Sequence, residues 1–552
     1  MTAAELTRPR NARLLLGLAV AAAGALLIVW QGRTTFLLDD WDLLIHRRGF
    51  DAHVLFDPHA RHLIVGPALI YKAIQATIGM ESKVPYGVVS VAGFLTSVVL
   101  VFVYIRRRVG DWVALAAVLP VLVMGMAYED LLSAFQIGYF GSMAFGIGAL
   151  LVIERPSAHR DAIACALLVA SLAFAEIALA FAAGVAVVIA LQRGPLRRVW
   201  VVAVPLLLYA AWYAAFGNSG AYLGPSGLSL HNIVNSPPYV LDGFASSVGS
   251  VLGLGAPELF GGTAGLEWGR PLLLGLVVIA IAWVLRSRSP RLLWALVPLA
   301  IGLAFWSLTA ANFAFGRAPY ASRYQYVGGV FVLMIAADLA AGWRPGWRGV
   351  AGTLAVGVAA ALSNLVILHD GYQALARSSQ IVRGGLAGLE IAADRVSPDF
   401  LLTPQNSDFN YFTLLTAGPY LSAEEKFGSP AYSQSELATA PERARIAADK
   451  VVAAALPITL EPAGGPGRTG CATVVGTGAR APIVVMPPGG AAVSAPPGLT
   501  VSLGLRRYAS DSFPVDPGTL RGNERLVIPA DRSSRPWQLR VDTSHRVSVC
   551  RG

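Results

Sequence analysis

The stretch that decides the fold is LLLGLAVAAAGALLIVW, residues 14–30, which precedes the motif Asp39-Asp40-Trp41. An uncharged run of this length crosses the ~30 Å hydrocarbon core of a bilayer as one helix. The run has a basic start but no small-residue cleavage site at its end, so we expect a retained first helix rather than a cleaved signal. The chain then presents two adjacent carboxylates at the far membrane surface, where ionisable groups mark a candidate functional site. Trp41 is expected to anchor the chain at the interface.

The composition extends this interpretation to most of the chain. Of the 552 residues, 55% are hydrophobic and 14% are charged, and the mean hydropathy is +0.57. A soluble protein carries about 25% charged residues, so the sequence indicates an all-α polytopic membrane bundle. Apolar length and arginine placement together predict about eleven spans. They are 14–30, 84–105, 112–128, 139–153, 162–175, 177–191, 199–216, 271–285, 292–310, 325–342 and 349–368.

The net charge of +10 follows a membrane topology rather than a nucleic-acid surface. Arginines cluster in short loops between the apolar runs, as the positive-inside rule describes for cytoplasmic loops. The clusters fall within 8–13, 106–108, 155–160, 193–198, 286–291 and 344–348. We therefore expect a cytoplasmic N-terminus and an extracytoplasmic location for 31–83, 129–138, 217–270, 311–324 and 369–552. Few Lys beside many Arg, with abundant Ala, Gly and Val, indicate a GC-rich bacterial genome and hence the plasma membrane.

Three domains are predicted. Residues 1–368 form the transmembrane domain with a catalytic outer loop at 31–83, 369–455 form a mixed extracytoplasmic connector, and 456–552 form a β-sandwich-like or jelly-roll module. In this module β-prone runs alternate with Pro and Gly. Strands are predicted at 472–475, 483–486, 499–505, 526–528, 537–541 and 547–550. Cys471 and Cys550 lie here, and an extracytoplasmic pair can form a disulfide, although two cysteines leave the pairing open.

Three segments of the transmembrane domain do not have the pattern of a simple membrane span. Glu176 interrupts the apolar run 162–191, which predicts two helices joined by a turn at Glu176. The run 63–78 contains Lys72 and is predicted to be an interfacial helix. The segment 236–255, with its prolines and glycines, is predicted to be re-entrant or interfacial.

Acidic residues supply the candidate catalytic groups. Asp39 and Asp40 suit a catalytic base, a ligand for a hard divalent cation, or both; an ordinary solvated loop is the alternative. Glu129 and Asp130 form a second acid pair on the same predicted side, which fits either a site or simple helix-end solvation. We expect any cation, such as Mg, Mn or Ca, to bind Asp40 and Glu129. Glu176 lies among apolar residues and is costly unless it faces a cavity.

Basic and polar residues supply the candidate binding groups. Arg317 and Arg323, followed by Tyr324, lie in an outer loop, and Arg suits bidentate phosphate binding; snorkelling to the interface is the alternative. The loop histidines match no zinc spacing. His53 or His62 is instead a candidate for binding a phosphate or hydroxyl, and Gln136 is a further cavity candidate. No Gly-rich nucleotide loop occurs on the predicted cytoplasmic side and no Gly-x-Ser-x-Gly elbow occurs, so an ATP-driven pump and a serine hydrolase are unsupported.

This arrangement resembles the GT-C superfamily of integral-membrane glycosyltransferases, which includes protein O-mannosyltransferases, lipid A aminoarabinose transferases and actinobacterial arabinosyltransferases. The matching features are Asp39-Asp40 in the first outer loop, the interfacial run 63–78, and the module after His369. The resemblance covers the chain in architecture but only a few residues in motif.

The resemblance implies transfer of a hexose or pentose from a polyprenyl-phosphate donor to an extracytoplasmic glycan or other cell-envelope acceptor, with inversion. It implies that Asp39 or Asp40 is the base and that Arg323, with Arg317, stabilises the leaving phosphate. The competing hypotheses are a transporter or flippase for a lipid-linked sugar and a non-catalytic envelope scaffold. The paired outer acids favour the enzyme.

Overall fold

The structure is a computed structural model that describes residues 9–192, 194–219, 229–256, 265–287, 290–314, 317–407, 415–462, 469–477, 481–496 and 498–551. Arg8, Arg193, Arg288, Phe315 and Gly316, which belong to the predicted basic clusters and the outer arginine loop, lie outside these ranges. The helices are α1 Pro9–Gln31, α2 Ala52–Phe56, α3 Val65–Thr77, α4 Val84–Val109, α5 Asp111–Leu122, α6 Tyr128–Leu131, α7 Ile137–Ile153, α8 Ala158–Phe174, α9 Ile177–Leu191, α10 Trp200–Phe216, α11 Leu230–Val234, α12 Ser236–Val251, α13 Leu266–Ser287, α14 Leu296–Ala311, α15 Ser322–Leu339, α16 Trp347–Ile391, α17 Pro404–Ser407, α18 Ala417–Phe427, α19 Gln434–Thr439 and α20 Glu442–Ala455.

Ten of the eleven predicted spans fall largely on one helix each, because a long apolar run satisfies its backbone in lipid only by helical hydrogen bonding. The predicted span 112–128 is broken, since α5 ends at Leu122 and the chain bends by 47° before α6. Five helices of the described residues are long and apolar enough to cross a membrane, or six if the bent pair α5 and α6 counts as one span. Helices α7, α9 and α10 are apolar but shorter. A mostly helical chain with several candidate spans is therefore confirmed, and the number that cross stays a prediction.

Two local predictions in this region have clear outcomes. Helix α8 ends at Phe174 and α9 begins at Ile177, so the break at Glu176 is confirmed. The predicted interfacial segment forms helix α3, but its Lys72 is buried and donates to the carbonyls of Arg47 and Gly49 at 2.5 Å each. Its lysine therefore fastens the preceding loop instead of reaching solvent.

The chain divides into two compact units whose bounds differ from the three predicted domains. The first unit contains 1–33, 47–74 and 84–375, and the second contains 34–46, 75–83 and 376–552. The outer loop 31–83 is thus shared between them. Helix α16 has 45 residues and continues past the predicted membrane boundary at 368.

The C-terminal strands form antiparallel sheets joined through one long strand. The strands are β1 Thr459–Pro462, β2 Thr469–Gly476, β3 Ile483–Val485, β4 Gly490–Ser494, β5 Val501–Arg506, β6 Thr519–Leu520, β7 Asn523–Val527 and β8 Gln538–Arg551. The order β1-β7-β4-β8-β5-β6 is extended by β2 and β3, which both pair with β8. The first half of β8 pairs with β5 and β3, and its second half pairs with β4 and β2. The β-rich C-terminal region is confirmed, but the two strands predicted at 537–541 and 547–550 are one.

One hydrophobic core of the second unit is built from helices and sheets together. Leu437, Ala444 and Ala448 of α19 and α20 pack with Val493 and Leu539 of the sheets. Asp449 is buried beside this core and accepts the backbone N–H groups of residues 507–509 at 2.8–3.1 Å. These bonds attach α20 to the loop that follows β5. Cys471 and Cys550 form a disulfide between β2 and β8.

Candidate functional site

The loop-one acid pair lies on a tight turn in the second unit. Leu38 has a φ of 52°, a left-handed conformation that costs a non-glycine residue about 1–3 kcal/mol. This turn brings the Leu37 amide to Asp40, which accepts it on Oδ2 at 3.0 Å. Asp40 is 0% exposed, whereas Asp39 is half-buried. The two neighbouring carboxylates therefore have different surroundings.

Asp40 is compensated inside the second unit by Lys83. Lys83 is itself buried, donates to Thr34 Oγ1 at 3.2 Å and interacts electrostatically with Asp40. Burial lowers the pKa of the Lys83 ammonium, and the Asp40 carboxylate opposes that shift. The solvated-loop interpretation is thus wrong for Asp40, whose surroundings suit it to hold the turn.

Trp41 is not the interfacial anchor that the sequence predicts. Its side chain is 1% exposed. It packs edge-on against Phe36 and Tyr420, with ring centroids 5.9 Å apart in each pair. A π-helical segment, Asp42–His46, follows directly. The prediction was wrong because the indole packs inside the second unit. The apolar pattern of the first helix, on which the prediction was based, contains no information about that packing.

The second acid pair is positioned in the first unit by a break between α5 and α6. Gly125 lies at this break, where a Cβ would come within 2.4 Å of Ile367 Cβ, so only glycine fits. Asn364 of α16 is fully buried and accepts the Gly125 amide on Oδ1 at 2.8 Å. Gln31 donates to the Leu131 carbonyl at 2.9 Å, which fixes the other end of α6. Two buried amides thus hold the short helix that carries Glu129 and Asp130.

Asp130 is the unusual group of this helix. It is 0% exposed, and neither carboxylate oxygen has a hydrogen-bond partner among the described residues. It interacts electrostatically with Glu129 and Arg323. A buried carboxylate without hydrogen bonds is costly, so such a group in a native site indicates a missing proton, water or ligand. The helix-end solvation interpretation is wrong for Asp130, because no solvent reaches it.

The outer arginines face the same acids. Arg323 and Tyr324 lie in the first turn of α15. Tyr324 is buried, and it interacts electrostatically with Asp130, Glu129 and Arg317. Ser322 of the same turn accepts the Glu129 amide at 3.1 Å. The structure therefore brings the second acid pair and the predicted phosphate-binding arginines together within the first unit.

Helix α12 fastens the arginine loop, a role that the sequence did not indicate. Tyr239 donates to the Arg317 carbonyl at 2.7 Å, and Ser246 donates to the Pro319 carbonyl at 3.1 Å. Gln325 also donates to Pro319, at 3.0 Å, and accepts from Ser250 at 3.0 Å. The serines four residues apart on one face of 236–255 are the signal that could have revealed it. Asn364, an amide within a predicted span, is the comparable signal on α16.

The candidate histidines pair with carboxylates in the first unit. His62 Nδ1 lies 2.8 Å from Glu176 Oε2, and Tyr209 donates to Glu176 Oε1 at 2.9 Å. His53 Nδ1 lies 3.0 Å from Asp57. The high cost expected of Glu176 is therefore offset by two partners. Gln136 caps the start of α7, where its carbonyl accepts the Phe140 amide.

Strain is concentrated in the outer loop. Among the described residues, the non-glycine residues with positive φ are Leu38, Ala60 and Arg61. Ala60 and Arg61 form the tip of a two-residue hairpin in which His59 and His62 exchange backbone hydrogen bonds of 3.0 and 2.8 Å. Backbone strain of this kind clusters at functional sites.

The described residues contain no group of three or more His, Cys, Asp or Glu side chains that could hold a metal ion. Asp40 and Glu129, the predicted cation ligands, belong to different units. The binding of a cation by Asp40 and Glu129 stays a prediction.

Comparisons with known proteins add one distant likeness. No protein-family model and no curated protein matches the chain. Among solved structures, ArnT from Cupriavidus metallidurans bound to undecaprenyl phosphate matches with a TM-score of 0.41 and 13% sequence identity. The match covers 70% of this chain and 82% of that one. A likeness at this level does not show an activity.

Proposed function

We propose that the chain is a membrane glycosyltransferase that moves a sugar from a polyprenyl-phosphate donor to an extracytoplasmic hydroxyl. The observation that carries the proposal is the cluster of the first unit, in which the buried Asp130 has no hydrogen-bond partner among the described residues and interacts electrostatically with Arg323. A carboxylate beside a guanidinium, both close to the predicted outer surface, suits a substrate that combines hydroxyls with a phosphate. A scaffold protein has no use for such a group.

In this proposal Arg323 and Arg317 bind the donor phosphate. A guanidinium offers a planar pair of N–H donors to two phosphate oxygens. The same contact stabilises the charge that grows on the phosphate as the bond to the sugar breaks. Loop 317–321 is suited to this role because Tyr239 and Ser246 fasten its carbonyls, which limits its motion.

The acceptor hydroxyl loses its proton to a carboxylate. The hydroxyl oxygen then bonds to the anomeric carbon from the face opposite the phosphate, the carbon–oxygen bond to the phosphate breaks, and polyprenyl phosphate leaves. This displacement inverts the anomeric centre. Asp39 of loop one stays the sequence-based candidate for this base, since it is half-buried whereas Asp40 is buried with a lysine. Glu129 and Asp130 are proposed to bind hydroxyls of the substrate.

The C-terminal β module is proposed to bind the acceptor glycan outside the plasma membrane. The Cys471–Cys550 disulfide supports an extracytoplasmic location, because disulfides persist in oxidising compartments. A cytoplasmic N-terminus follows from the arginine-rich loops.

The test uses purified protein in lipid nanodiscs with a panel of undecaprenyl-phosphate pentoses and hexoses. We expect release of undecaprenyl phosphate that depends on an added envelope glycan, and a loss of about 100-fold or more in Asp39→Asn. Asp57→Asn, which changes another loop-one carboxylate, is the matched control. Movement of the lipid-linked sugar across the bilayer without release of undecaprenyl phosphate would favour a flippase and overturn the proposal.

A further inference from the structure

An apolar crevice of about 430 Å³ lies between α12, α13 and α15 of the first unit. Its lining includes Phe244, Leu276, Ala280 and Ile335, together with Trp283 in the last turns of α13 and Trp343, which follows α15. Most apolar side chains of helix α13 are exposed, Leu274, Ile279 and Leu285 among them, so its other faces would meet lipid. The crevice therefore opens to the hydrocarbon region of a bilayer and has the character of a chain-binding groove.

The tryptophan end of the crevice carries positive charge. Trp283 donates to the Leu339 carbonyl at 3.1 Å, which brings the end of α13 to the end of α15. Arg286 follows Trp283 by three residues in the last turn of α13, so it lies on the same helical face one turn further on. Arg344 donates to the Trp343 carbonyl at 3.0 Å. Two exposed guanidinium groups thus flank the mouth where the two indoles are half-exposed.

The location and the charge together select one occupant. Arg286 and Arg344 belong to the arginine clusters of the predicted cytoplasmic side, and Trp residues mark the membrane interface. Basic pockets between helices on that side attract anionic head groups, with about 1 kcal/mol per basic residue near the surface. We propose that this crevice binds an acidic glycerophospholipid of the cytoplasmic leaflet. One acyl chain fills the groove, and the phosphate meets Arg286 and Arg344. This binding does not depend on the glycosyl-transfer proposal, because the crevice contains none of its candidate residues.

The experiment is native mass spectrometry of the delipidated full chain in detergent. Phosphatidylglycerol and phosphatidylcholine with identical acyl chains are added as probes. We expect at least about tenfold preference for phosphatidylglycerol, since two charge contacts are involved. The double variant Arg286→Gln/Arg344→Gln should lose that preference, and Ala280→Trp, which fills the groove, should weaken binding of both lipids. Arg270→Gln, at the opposite end of α13 and paired with Asp242 at 2.8 Å, is the matched control and should bind as the wild type.

Three outcomes overturn the proposal. Equal retention of the two lipids by the wild type removes the charge selection. An unchanged preference in the double variant places the acidic lipid elsewhere. Displacement of phosphatidylglycerol by equimolar undecaprenyl phosphate, with the same sensitivity to both variants, assigns the crevice to the glycosyl donor instead.

Discussion

Two aspartates of this chain, Asp40 and Asp130, are equally buried but have opposite surroundings. Asp40 accepts the Leu37 amide and interacts with Lys83, whereas Asp130 interacts with Arg323 but has no hydrogen-bond partner for either oxygen among the described residues. Burying a carboxylate is tolerable when a cation and N–H donors replace water, and costly when they do not. The difference indicates that Asp40 maintains structure, while Asp130 is kept for a ligand.

The largest effect that this comparison predicts is the loss of stability on substitution of Asp40. Asp40→Asn leaves the buried Lys83 without its carboxylate and should lower the free energy of unfolding by about 3–5 kcal/mol. Thermal unfolding of the purified protein, followed by size-exclusion chromatography, measures the change. Asp39→Asn is the control and should unfold near the wild-type temperature.

A double-mutant cycle sharpens this prediction. Lys83→Met removes the unpaired charge, so Asp40→Asn/Lys83→Met should be more stable than Asp40→Asn alone. If the two substitutions simply add, the stabilising pair assigned to the second unit does not exist and the contrast with Asp130 disappears.

Asp130 should show the reverse pattern. Asp130→Asn removes a buried charge without breaking a hydrogen bond within the described residues, so the unfolding temperature should be unchanged or higher. Transfer activity should fall by about 10- to 100-fold, the loss that corresponds to about 1.5–3 kcal/mol for a charged hydrogen bond to a substrate hydroxyl. Activity is measured as release of undecaprenyl phosphate, with the half-buried neighbour Glu129→Gln as the companion variant. A variant that is both unstable and active would make Asp130 a structural residue like Asp40.

Arg323 provides the next test, since it faces Asp130. Arg323→Lys keeps the charge but not the planar fork and should weaken binding of undecaprenyl phosphate. Arg323→Ala should weaken it further, by about 1.5–3 kcal/mol, because a charged hydrogen bond is lost. Equilibrium binding to the purified variants gives the numbers, and the exposed Arg270→Ala is the matched control. Equal affinities in wild type, Lys and Ala would identify a snorkelling arginine and leave the donor site unlocated.

The same contrast shows which parts of the molecule could be predicted from sequence. The helices could be predicted, because the length of an apolar run is a local property of the sequence. The break at Glu176 could also be predicted, because the glutamate interrupts such a run. The surroundings of Asp40 could not, because its partner Lys83 is distant in sequence and meets it only in the fold. The strand β8 was predicted as two strands because the polar residues 542–546 interrupt its apolar pattern, yet β2 pairs across this stretch.

The placement of Asp130 also depends on distant residues, and this gives the smallest expected effect. Asn364 accepts the Gly125 amide and donates to the Val251 carbonyl at 3.2 Å, so it joins the α5–α6 break to α12. Asn364→Leu leaves these buried groups without their partner and should cost about 1–3 kcal/mol of stability. Asn364 is a positioning residue, so Asn364→Leu should lower kcat more than it raises KM. The reason is that Asp130 shifts while the donor phosphate still contacts Arg323. Asn235→Leu, at the exposed end of α11, is the matched control. A stability loss with unchanged kcat would mean that Asn364 supports the fold alone and that the position of Asp130 does not matter for transfer.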